Sequence, residues 1–246
     1  MIFVGDHHDS RNAHKVMVTL IKDLSQAGYR VSVANEWFSP KENALLASFT
    51  AGTLDANSSK ALGWKKRVGY DYNLSRPIFD AVIKNGGTLY GINMDEKFKK
   101  MVSENNTSGM DAEERAFYKH LDLDVSAHKQ LVAPYFKHCH GKRKDESPEQ
   151  CSARMYRVQV AWDTMMGEES AKLAKQLKEN EKLIVFIGAM HLESGLGANL
   201  RFARKSDIPF VTILPYPVDR KREKSIEVEN GSSDLLYLYD EPLDAQ

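Results

Sequence analysis

Charge of one sign is the first thing this 246-residue chain lacks, since 34 Lys and Arg stand against 34 Asp and Glu. Without a basic excess there is no field to gather nucleic acid or anionic lipid, so nucleic acid is excluded as a partner and a ligand has to be recognised at a site. A long apolar run is missing as well. The longest, 183–190, falls far short of the roughly 18 residues a membrane-spanning helix needs. Cysteine is scarce: Cys139 and Cys151 are spaced to close a small loop. Two readings stand, a disulfide contributing roughly 3 kcal/mol in an oxidising compartment or two unrelated thiols in a reducing one. No basic and then apolar leader precedes the first apolar run, Met1-Ile2-Phe3-Val4, which implies either a cytoplasmic protein or a leader outside this sequence.

What is present is a repeated strand, polar turn and helix. The apolar run 2–4 enters the turn 5–10, and Val16, Met17, Leu20, Ile21 and Leu24 then recur at helical spacing up to Gly28. A second β-rich run, 29–34, ends at Asn35-Glu36-Trp37-Phe38, and Ser39-Pro40 starts another helix. From Ser75 a helix carrying Ile78, Ala81 and Val82 stops at Asn85-Gly86-Gly87, ahead of a strand at 88–92. Between 95 and 181 no strand pattern occurs and helical spacing prevails, whereas 183–187 and 210–214 read as strands and 235–239 as an edge strand. Strands alternating with helices predict an α/β fold, a mainly parallel sheet flanked by helices. The expected organisation is an α/β core at 1–95 and 182–246, with a helical subdomain at 96–181 inserted before the late strands.

Residues just past the C-terminal ends of parallel strands share one rim, where ligands bind in open α/β sheets. That rim receives His7, His8, Asp9, Glu36, Asn93 and His191 from four different strands. Gly5 and Gly188 each stand three residues before a His, and a glycine there lets the chain turn sharply beside whatever the His contacts. With Glu36 between His8 and His191, the set offers either a divalent-metal site or a metal-free acid/base pair; no Cys joins it, which argues against structural zinc. Asp163 reads equally as a solvated helix face or as a carboxylate orienting a rim group. Gly195-Leu196-Gly197 lies outside the first strand-to-helix turn, and Ser10 and Ser194 sit in no nucleophile elbow, so dinucleotide binding and serine hydrolysis have little support.

Five motifs in order carry a resemblance: Phe3-Val4-Gly5-Asp6-His7-His8-Asp9, Asn35-Glu36-Trp37-Phe38, Gly91-Ile92-Asn93, Val158-Gln159-Val160-Ala161-Trp162-Asp163-Thr164-Met165-Met166, and Ile187-Gly188-Ala189-Met190-His191-Leu192-Glu193-Ser194-Gly195-Leu196-Gly197. Together they resemble the ChaN-like haem-binding family and, more distantly, erythromycin-esterase-like and Tiki-type proteins. The resemblance implies a non-covalent haem carrier or store of bacterial haem and iron uptake. It also implies a periplasmic or outer-membrane-associated, often lipoprotein, location, a homodimer, and a haem receptor or transporter as partner. The alternative is a hydrolase whose catalytic or metal-binding residues are His8, Glu36 and His191, with Asp6, Asn93 and Asp163 behind them; enzyme activity is left open. Asp6 stands where the family commonly carries Glu.

A haem site needs an axial donor, an apolar slot and cations for the propionates, and a tyrosine phenolate suits ferric transport. The stretch Trp64-Lys65-Lys66-Arg67-Val68-Gly69-Tyr70-Asp71-Tyr72 supplies two tyrosines near Lys and Arg, with Tyr72 preferred because it precedes the helix expected from Ser75. His138 and His140 form the second candidate cluster. They are two apart, so on a helix only one would face a cleft.

Overall fold

A computed structural model describes residues 1–52, 58–137, 139, 143–219, 225–228 and 231–241. Its centre is a six-stranded, all-parallel sheet in the order β3-β2-β4-β1-β5-β6. The strands are β1 (Ile2–Asp6), β2 (Arg30–Asn35), β3 (Leu89–Gly91), β4 (Glu181–Gly188), β5 (Val211–Val218) and β6 (Leu235–Asp240). All six lie where the apolar runs predict them.

The alternation of side chains along each strand divides the core in two. Val4, Val33, Ile184 and Phe186 point to one face, against α1 (Arg11–Gln26), α2 (Asn43–Thr50) and α5 (Tyr72–Lys84) with the short α3 (Ser58–Ala61) and α4 (Trp64–Arg67). Their neighbours Phe3, Ala34, Val185 and Ile187 point to the other, against α9 (Pro148–Ala174) and α10 (Ala198–Ala203). Both faces are covered, which is why β4 reads as an unbroken apolar run rather than an alternating one. Between β3 and β4 the described residues hold helices and no strand: α6 (Glu96–Glu104), α7 (Ala112–Lys119), α8 (Ser126–Phe136) and then α9.

Side-chain caps set the helix starts. Ser10 accepts from the Ala13 amide, Asp95 from Phe98, and Ser147 from Gln150 ahead of Pro148 at the first position of α9. One start differs from the expectation. Asp71 caps α5 by accepting from the Asn73 amide at 3.0 Å, so the helix begins at Tyr72, three residues before Ser75, and Pro77 lies inside it. Tyr72 is therefore the first helical residue rather than part of the preceding loop.

Cys139 and Cys151 are paired as a disulfide, with Cα atoms 6.1 Å apart, joining the segment after α8 to the first turn of α9. The two cysteines are therefore bonded to each other rather than unrelated thiols. Further along α9, the helix crosses α10 at Gly167, where a Cβ would lie 2.5 Å from the Ala198 carbonyl oxygen and 2.8 Å from the Phe202 amide nitrogen. Backbone atoms cannot yield as a flexible side chain can. Gly167→Ala is expected to destabilise the fold by about 1–3 kcal/mol, read as a lowered midpoint in urea denaturation; an unchanged midpoint would mean that the two helices are not held this closely.

Candidate functional site

Strand register builds the site. Asp6 of β1 lies opposite Gly188 of β4, and Asn35 of β2 opposite Phe186, so the chain just beyond each strand emerges on the same rim. A Cβ on Gly188 would sit 3.5 Å from Glu36 Oε1, 3.6 Å from His8 Cε1 and 3.4 Å from His191 Cδ2, which places all three side chains around one glycine. Gly188 also donates its amide to Glu36 Oε1 at 2.7 Å. Glu36 lies between the histidines, with Oε1 3.5 Å from His8 Nε2 and Oε2 3.6 Å from His191 Nε2. The three rim residues chosen from sequence are thus together.

Each histidine is oriented from behind by an enclosed carboxylate. His8 Nδ1 donates to Asp6 Oδ2 at 2.6 Å, and His191 Nδ1 donates to Asp163 Oδ1 at 2.6 Å. Asp163 is fully buried, so it does not lie on a solvated helix face, and its hydrogen bond fixes the orientation of the His191 ring. Asn93 donates to the Glu36 backbone carbonyl at 3.1 Å and so braces the loop that carries the central carboxylate. His7 turns away and meets the Tyr239 hydroxyl at 2.7 Å.

Four further residues complete the support, none of them singled out from the sequence. His14 of α1 places Nε2 2.7 Å from Asp6 Oδ1 and Nδ1 2.9 Å from the Leu74 carbonyl oxygen. Both partners are acceptors, so beside an ionised Asp6 the ring carries both protons and is an imidazolium. Gln159, one helical turn before Asp163, donates to that carboxylate at 3.3 Å. His128 Nε2 lies 3.1 Å from Asp163 Oδ2, off the line of a good hydrogen bond, and Arg201 approaches His128 Nδ1 at 3.4 Å. A polar residue on a buried helical stripe, such as His14 between Ala13 and Val16, carries no signal separating it from core filler until its partner across the interface is known.

The electrostatics follow from these contacts. Burial alone would raise the Asp6 carboxyl, but hydrogen bonds from His14 and His8 overcome it and hold it below the usual range. Asp163 is lowered against the same burial penalty by the charge of His191, by the close approach of His128 and by the hydrogen bond from His191. Burial opposes the charged form of His8, yet the Asp6 hydrogen bond and the Glu36 and Asp6 charges raise its pKa to about 9. His191 and His14 are raised in the same sense, against burial, by Asp163 and Asp6 respectively.

Such a rim can move protons between imidazole and carboxylate, or hold a cation on His8 Nε2, Glu36 and His191 Nε2 once two imidazolium protons are displaced. Asp6, His8 and Glu36 each bring one ligand atom within 4.8 Å of the others, a grouping that leaves out His191. Because both Asp6 oxygens already face imidazoles, Asp6 supports the rim rather than offering a ligand.

The rim opens into a cavity of about 190 Å³ whose walls include His8, Glu36, Tyr70, Asn93, Lys99 and Trp162. Trp37 lines it too, and its buried indole N–H has no hydrogen-bond partner among the described residues, an unmet donor of the kind a ligand satisfies. Tyr70 is 43% exposed, and its ring lies 5.3 Å from that of His8. Tyr72 packs instead on Trp64 and Phe79, with ring centroids 5.4 and 6.2 Å away, and does not line the cavity. Burial, then the Asp80 charge, pushes its phenol up, away from the phenolate an axial ligand requires. Of the two tyrosines, it is Tyr70 that faces the site. His138 and His140 lie outside the described residues.

A family model described as haem-binding uptake, Tiki superfamily, ChaN, matches residues 1–202. The chain belongs to this family. The resemblance carried by the five motifs is therefore membership. Among solved structures, ChaN of Campylobacter jejuni, described as binding haem cofacially, is similar over 95% of this chain and 85% of that one, at 18% identity and a TM-score of 0.70. The type III effector HopBA1 is similar over 98% and 88% of the two chains, at 14% identity and a TM-score of 0.51. An erythromycin esterase mutant in its open conformation is similar over 88% and 70%, at 11% identity and a TM-score of 0.50. At these identities the likeness is one of fold. No curated protein matches the chain.

The histidine charges have a consequence for stability. A pKa raised from 6.5 to about 9 for His8 means that its stabilising contribution is fully present below about pH 6.5 and is lost as pH rises through about 9, and His14 and His191 act in the same direction. Urea midpoints are expected to fall across that window, and less steeply in His8→Gln. A flat profile in the unaltered protein would contradict the charge assignment.

Proposed function

We propose that this protein binds haem non-covalently and serves as a carrier or store in bacterial haem and iron uptake. Membership of a haem-binding family supports the reading, and the observation that carries it is the half-exposed Tyr70 lining a cavity that runs into a groove large enough for a macrocycle. The 190 Å³ cavity meets, at Glu96, Lys99 and Trp162, a wider groove of about 770 Å³ floored by Phe136, Met155, Val158 and Trp162. That volume is within the range of roughly 300–1,000 Å³ typical of small-molecule sites. The residues present fit haem: Tyr70 as axial donor, an apolar floor for the ring, and cations at the rim. When bound, haem supplies a ferric iron for a phenolate to hold.

The Cys139 and Cys151 disulfide favours an oxidising compartment, which supports a periplasmic or outer-membrane-associated location. A groove open on one side leaves one face of a bound macrocycle exposed, and we infer that a second copy of the chain covers it in a homodimer. A haem receptor or transporter as partner follows from the uptake role.

A second reading keeps a specific observation. Two imidazole–carboxylate dyads flank Glu36, the arrangement an acid/base hydrolase uses, with or without a divalent metal on His8, Glu36 and His191. It requires a hydrolytic turnover that disappears in Glu36→Ala.

Haemin titrated into the purified protein is expected to give a saturable shift of the Soret band. Tyr70→Phe should weaken binding at least tenfold and abolish the phenolate charge-transfer band, while Tyr72→Phe leaves the spectrum in place. Unsaturable binding would end the haem reading, and loss of the band in Tyr72→Phe alone would return the axial role to Tyr72.

A further inference from the structure

Two clefts flank α6, and they carry opposite charge. One, of about 400 Å³, is lined by six carboxylates, Glu113, Glu114 and Glu168 among them, against two lysines. The other, the 770 Å³ groove between α6 and α9, is lined by Lys97, Lys99, Lys100 and Arg154 against the single carboxylate Glu96. In a chain whose charges balance overall, this separation selects what each cleft can accept. An apolar molecule bearing carboxylates is repelled by the first and drawn to the second.

The four cations are not equally committed. Arg154 is held by a two-pronged pair with Glu146, Nε to Oε1 at 2.7 Å and a terminal nitrogen to Oε2 at 2.8 Å. Lys99 pairs with Glu96 at 2.6 Å. Lys100 has only Glu104, at 3.9 Å, and Lys97 has no carboxylate partner among the described residues. Lys97 and Lys100 are three residues apart and so share one helix face. Below them lie Met155, Val158 and Trp162 of α9 and Phe136 of α8. The groove thus offers two under-committed ammonium groups along one edge of an apolar floor.

We propose that this groove recognises the two-carboxylate edge of a planar apolar macrocycle, with Lys97 and Lys100 meeting its two propionates and Trp162 under the ring. The assignment rests on the haem reading and adds to it the direction in which the macrocycle lies: carboxylates toward α6, iron toward Tyr70. Lysine suits the task because its mobile ammonium follows a carboxylate without demanding a fixed planar geometry.

The test compares haemin with its dimethyl ester, whose propionates are uncharged, on the unaltered chain and on Lys97→Glu/Lys100→Glu. The unaltered chain is expected to bind haemin more tightly than the diester. The double variant should lose about tenfold in haemin affinity, as expected for two reversed charges, and little for the diester. Reversal of Lys41 and Lys172 in the acidic cleft should change neither. All four lysines are on the surface, so a milder Lys97→Gln/Lys100→Gln pair, checked by circular dichroism, separates loss of contact from loss of fold. Unchanged haemin affinity in both α6 variants would overturn the lysine assignment and leave haem binding standing. Failure of the unaltered chain to take haemin would overturn both.

Discussion

Two enclosed carboxylates, Asp6 and Asp163, determine how the rest of the rim is arranged. An isolated buried charge costs several kcal/mol, so each is tolerable only with imidazole partners close by. Asp6 has His8 and His14, and Asp163 has His191 and His128. In both cases the inner ring nitrogen is consumed, which turns the outer nitrogen of His8 and of His191 toward Glu36. The parallel register of β1 and β4 does the remaining work by setting Asp6 beside Gly188. Gly197 then allows the chain to fold back against the backbone of His191, a contact no Cβ would permit.

This architecture divides the molecule into a rigid rim and an adjoining recognition surface. Strand ends and buried hydrogen bonds hold the rim. The groove beside it is built from α6, α8 and α9, with side chains chosen for apolar floor and charged edge, and the disulfide ties the end of α8 to the start of α9. Tyr70 lines the cavity beside the rim, its ring 5.3 Å from that of His8. A haem held there would lie beside the histidines and the glutamate without depending on them for its iron ligand.

Much of this was legible in the sequence, for a physical reason. Strands covered on both faces are written as continuous apolar runs, and the residues just past them must share a rim, so His8, Glu36, Asn93 and His191 could be grouped without coordinates. What stayed hidden depends on contacts across helices. His14, His128, Gln159 and Arg201 are polar residues at buried positions, and only packing reveals that their partners are rim carboxylates. The placing of Tyr72 was hidden because Ser75-Arg76-Pro77 reads as a strong helix start; the Asp71 cap preempts it and carries Tyr72 against the aromatic core.

On the proposed reading, haem iron sits at Tyr70, in the cleft and not on the rim. Anomalous diffraction at the iron edge from haemin-loaded crystals addresses it most directly. One iron peak per chain is expected within bonding distance of the Tyr70 oxygen, with the macrocycle over Trp162. An iron peak among His8, Glu36 and His191, or at a surface remote from the α6 and α9 groove, would contradict it.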